Sequence, residues 1–121
     1  MIAMTETAEI DPNVPDRQLL QDIADYDAAD SLSWLHELHL DPQAPMLHLS
    51  AEDLMDDSED SARDYRVSAD KIRASFTALT EDSRVKLCCA AEIIDGGLGY
   101  GCLDDVDAVL QHACYGRIIF A

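Results

Sequence analysis

The stretch from residue 52 to residue 64, EDLMDDSEDSARD, constrains this chain more than any other. Seven of its thirteen residues are carboxylates (Glu52, Asp53, Asp56, Asp57, Glu59, Asp60 and Asp64), and one cation, Arg63, interrupts them. As a helix, residues 52–60 would span roughly 13 Å at about 1.5 Å per residue. That is about one negative charge every 2 Å, close to the ~1.7 Å of duplex DNA counted over both strands. Like charge at this density opposes folding. The rest of the chain is therefore expected to serve as a platform for it, and a partner with a positive groove is expected to compensate it.

The negative charge is also lopsided. Residues 1–64 hold 17 acids against Arg17 and Arg63, a net of −15, whereas residues 65–121 hold eight acids against six bases, a net of −2. Adaptation to high salt would coat the whole surface, so loading one half points to a directed surface. The total of −17 makes nucleic acid and anionic membranes poor partners and basic proteins better ones. With 48% hydrophobic residues among 121, the chain can still build one modest core. No apolar run approaches the roughly 20 residues that span a bilayer, and MIAMTETAEI has no secretory pattern. The expectation is a cytoplasmic protein with its four cysteines reduced and packed as small apolar side chains.

Taken in order, residues 1–13 read as a flexible acidic arm, and residues 14–121 as one helical domain with an acidic half, 14–64, and a near-neutral scaffold half, 65–121. Leu19, Ile23 and Tyr26 stand at helical spacing after Pro15. Asp30 is expected to cap a second helix carrying Leu32, Trp34, Leu35 and Leu38, which Asp41-Pro42 stops. Ser50 resembles the N-cap of a helix that opens the acidic stretch. Ser68 should cap a helix with Ile72, Phe76 and Leu79 on one face, and Thr80 another whose body is VKLCCAAEII. Gly96 and Gly97 end that helix, and Asp104 and Asp105 begin a last one that Gly116 stops. The fold expected is mainly α, a compact bundle of five or six short helices, with one small pair of short strands at residues 46–49 and 118–120. The apolar tail RIIFA is expected to pack as that second strand or to pair with a second copy of the chain.

Few motifs carry chemistry. Asp56, Ser58 and Asp60 open like a calcium loop, but Ser61 stands where the loop needs glycine and Val67 where it needs glutamate. HELH, with His36 and His39, lacks the zincin spacing, and His48 is merely nearby. His112 and Cys114 could join Cys88, Cys89 and Cys102 in a zinc site, but the spacing lacks a CxxC pair. GGLGYG follows an expected helix rather than a strand, so it reads as a helix cap and turn rather than a phosphate loop. No nucleophile elbow is present. The sequence thus assigns no catalytic residue, no cofactor and no metal ligand, and an enzyme is not expected.

What remains is the acidic surface: Asp22, Asp25, Asp27, Asp30, Glu37, Glu52, Asp53, Asp56, Asp57, Glu59, Asp60 and Asp64. In size, charge and asymmetry the chain resembles the DNA-mimic inhibitors of phages and mobile elements, the antirestriction, anti-CRISPR and uracil-DNA glycosylase inhibitor proteins. The resemblance is one of composition over residues 16–64. It implies an inhibitor whose carboxylates occupy the phosphate subsites of a basic nucleic-acid-binding protein of defence or repair. The competing expectation is an acidic interaction module of another class, such as an antitoxin, a nuclease immunity protein or an adaptor.

Overall fold

The computed structural model describes residues 8–26, 28–54 and 62–120. The chain is α+β, with a three-stranded antiparallel sheet in the order β1-β2-β3 covered on one side by helices. Helix α1 (Asp16–Ala24) and the single turn α2 (Ala28–Ser31) lead into β1 (Leu35–Leu40), β2 (Met46–Glu52) and β3 (Ala62–Ser68). Helices α3 (Ala69–Glu81), α4 (Ala90–Gly96) and α5 (Leu103–Tyr115) follow, with a 3-10 turn, Leu98–Tyr100, between the last two. This arrangement overturns the expectation of a mainly α bundle.

The reasons for the difference are local. Residues 32–38 look helical because Leu32, Leu35 and Leu38 recur every three positions. In the fold, β1 pairs Leu35 with Ala51 and Glu37 with Ser50, a bulge that absorbs one extra residue at His36. That residue stretches a two-residue alternation into a three-residue gap, and the strand takes on helical spacing. Ser50 is not a helix cap but lies within β2, and residues 46–49 belong to a strand longer than expected. Its partners are β1 and β3, not residues 118–120.

The C-terminal half holds two further corrections. Thr80 lies inside α3 and donates to the Thr77 carbonyl instead of starting a new helix. Asp82 ends α3 and accepts from the Arg84 backbone N–H at 2.9 Å. Residues 82–89 then run without regular helix, and only Ala90–Gly96 of the expected VKLCCAAEII helix forms. Gly97 follows with φ +92° and ψ −177°, backbone that only glycine adopts readily. The tail does not pair as a strand. Gln111 Oε1 accepts from the N–H groups of Ile119 and Phe120, and Phe120 stacks on Trp34 with centroids 6.2 Å apart.

Other expectations are met. Ser68 caps α3 by accepting from the Lys71 N–H at 3.1 Å. Ile72, Phe76 and Leu79 of α3, with Val106, Val109 and Leu110 of α5, are buried against Leu47, Leu49, Ala51 and Val67 of the sheet. At about 25 cal/mol per Å² of apolar area removed from water, this layer supplies the main driving force for folding. Part of the stretch read as a flexible arm is instead held against α3. Ile10 is buried, and Arg73 donates to the carbonyls of Ile10, Asp11 and Val14.

Candidate functional site

Helices α1, α3 and α5 lie on the side of the sheet to which Leu47, Leu49 and Ala51 point. Alternation along a strand sends the intervening residues to the opposite, uncovered side. Two cross-strand rows result. Glu37 of β1, Ser50 of β2 and Asp64 of β3 form one, and His39, His48 and Arg66 form the next. These residues border a shallow hollow of about 330 Å³.

The polar groups on this face are organised. The His39 and His48 rings stack with centroids 5.0 Å apart and planes 9° from parallel. His48 Nε2 lies 3.0 Å from Asp41 Oδ2. The backbone N–H of Gln43 and then the His48 ring hold the Asp41 carboxyl below the usual carboxylate range. His36 Nε2 lies 3.4 Å from Glu52 Oε1. Asp30, at the edge of β1, shares one hollow with Glu37 and His39 and another with His36 and Glu52.

The expected acidic surface is therefore partly assembled. Asp30, Glu37, Glu52 and Asp64 gather on and around the open face, and Asp53 follows Glu52 where the chain leaves β2. Asp22 and Asp25 do not join them. They sit on and just after α1, where Asp22 Oδ1 accepts from Gln18 and Asp25 Oδ1 from Gln21, and Asp22 borders Gly99 and Tyr100. Asp27, Asp56, Asp57, Glu59 and Asp60 lie outside the described residues. Sequence reading missed His39, His48 and Arg66 as members of the same face; the strand alternation that unites them becomes visible once β1 and β2 are read as strands.

Groups with catalytic potential are placed elsewhere. His112 Nδ1 is 3.0 Å from Ser75 Oγ, a serine–histidine contact that joins α3 to α5. Ser75 is 1% exposed, so its hydroxyl is shielded from solvent. The cysteines, expected to be small buried side chains, divide. Burial pushes the Cys114 thiol up to about 12. Cys88 is exposed, Cys89 and Cys102 are half-buried, and their three sulfur atoms converge without His112 or Cys114. A hydrogen bond with the Cys88 side chain, followed by burial, pushes the Cys89 thiol up to about 12.

Among the described residues no helix is long and apolar enough to cross a membrane. Comparison of the chain with known protein families, with curated proteins and with solved structures gives no match.

Proposed function

We propose that the chain is an acidic binding module whose open sheet face docks into the cationic site of a nucleic-acid-binding protein and keeps nucleic acid out. One observation carries this reading. Glu37, Glu52 and Asp64 come from three different strands of the uncovered face, and two of those strands flank the densest acidic segment of the sequence. Glu37 and Asp64 are two strand spacings apart, about 9.5 Å. That falls within the ~6 to ~12 Å widths of the DNA grooves that phosphates line. Carboxylates fixed on strands lose little freedom on docking and steer a cationic partner toward the face. Asp22 and Asp25 are left out of this surface. A cytoplasmic inhibitor of a defence or repair protein fits the reading.

A second reading is favoured by the other row. His39, His48 and Arg66 interleave cationic or titratable groups with the carboxylates, which a phosphate backbone does not do. That mixture suits an acidic protein-interaction module, such as an antitoxin or an immunity protein for a basic nuclease. Competition with DNA separates the two. The immobilised chain should capture a basic protein from an extract of the producing organism at low salt and release it at about 0.5 M salt, where the screening length falls to a few ångström. Mimicry predicts that duplex DNA displaces the captured protein. Capture that duplex DNA leaves untouched would favour the interaction module and contradict mimicry.

A further inference from the structure

Two helix starts on the helical side of the molecule bring three thiols together. Cys89 is the residue before α4, with Cys88 beside it, and Cys102 is the N-cap of α5. Their sulfur atoms all lie within 4.8 Å of one another. A built scaffold holds them there. Asp105, in the first turn of α5 and 1% exposed, accepts from the Cys88 N–H at 2.8 Å and from the Cys89 N–H at 2.9 Å. One carboxylate thereby ties both backbone positions of the Cys88-Cys89 pair to the helix that Cys102 opens. The Tyr26 hydroxyl donates to the Gly101 carbonyl and fixes the residue preceding Cys102.

The surrounding charge favours a cation. Asp105 forms no ion pair with a Lys or Arg side chain among the described residues. The first turn of α5 adds Asp104, and the whole chain is strongly acidic. A disulfide would use two of the sulfurs at about 2.05 Å and leave the third idle. A metal uses all three. At a zinc–sulfur distance of about 2.3 Å and tetrahedral angles, neighbouring sulfurs stand about 3.8 Å apart. Closing the cluster therefore takes a movement on the order of 1 Å, within the range of small side-chain adjustments.

We propose that Cys88, Cys89 and Cys102 form a three-sulfur site for a thiophilic d10 cation, with zinc as the test ion. Each sulfur releases its proton to solvent as its bond to the metal forms, and no group is oxidised or reduced. Three protein ligands leave a fourth position for water. Asp105 is a positioning residue, acting on the ligands through their backbone. The site is separate from the open sheet face and does not depend on the function proposed for it.

Cobalt(II) is the probe, because a cobalt–thiolate bond absorbs by charge transfer and a cobalt–carboxylate bond does not. The full chain, reduced and metal-free under anaerobic conditions, should bind one Co²⁺ with sulfur-to-metal charge-transfer absorption that zinc abolishes. Cys88→Ser and Cys102→Ser should each lose most of that absorption, whereas Cys114→Ser should keep it. Cobalt binding without charge transfer, or a band undiminished in the Cys88 and Cys102 variants, overturns the proposal. If a variant fails to fold, alkylation of the unaltered chain decides. Zinc should suppress iodoacetamide labelling of Cys88, Cys89 and Cys102, and equal labelling with and without zinc overturns the site.

Discussion

The two sides of the sheet use the same strands for opposite purposes. On the covered side, Leu47, Leu49, Ala51 and Val67 are all but removed from solvent, and among the described residues the helical layer above them holds a single buried acid, Asp105. On the open side, Glu37 and Asp64 are exposed and Ser50 and His48 are half-buried. An acid on the covered side must be satisfied within the fold, and Asp105 is, by two backbone N–H groups. An acid on the open side, such as Glu52 beside His36, makes at most a solvent-exposed pairing that adds little stability. The number of carboxylates therefore says nothing about their roles; the side of the sheet decides which belong to the fold and which are free for a partner.

Neighbouring positions on β2 offer the largest test of this contrast. Leu49→Ala should cost about 2–5 kcal/mol of unfolding free energy, the range for truncating a buried leucine. Ser50→Ala, one residue along, should stay within about 0.5 kcal/mol. Denaturant titration of both variants checks this, and similar losses would erase the distinction between the two sides.

Asp105→Ala comes next, with a loss on the order of 2 kcal/mol, because it strands the Cys88 and Cys89 N–H groups. Asp64→Ala, on the open side, should fall within about 0.5 kcal/mol. An Asp105 variant as mild as the Asp64 variant would show that residues 82–89 are anchored by something else.

A smaller effect is expected from pH. Burial, and then the charge of Lys71, lower the pKa of His112, so the fold disfavours its protonated form. A group depressed in this way contributes stability that is complete above its ordinary value, about 6.5. That contribution is lost as the pH falls through the folded value. His112→Gln should flatten this loss on the acid side of pH 6.5, measured by thermal unfolding across a pH series. The smallest effect belongs to Glu37→Gln, which should leave the unfolding free energy within about 0.5 kcal/mol of the parent chain.

Much of the covered side was legible in the residues. The spacing of Ile72, Phe76 and Leu79 marks α3, Ser68 marks its start, and Gly116 adopts the left-handed conformation expected where α5 ends. The open side was not legible, for one reason: the bulge at His36 disguised β1, and without that strand Glu37, His39 and Asp30 fall on an imagined helix. Residues 82–89 misled in another way. Val85, Leu87 and Cys89 look like one apolar helix, yet their path is set by Asp105, sixteen residues beyond Cys89. No local pattern carries that information. The thiol cluster was grouped with His112 and Cys114 and set aside for want of CxxC spacing, because Cys88 and Cys89 meet Cys102 through tertiary structure.

The most direct measurement is capture of a cationic partner at low salt by the parent chain and by a variant carrying Glu37→Lys, Glu52→Lys and Asp64→Lys, with the unfolding midpoint of each recorded alongside. If the open face is directed at that partner, capture is lost while the midpoint stays near that of the parent. Undiminished capture by a variant that still folds would contradict the account.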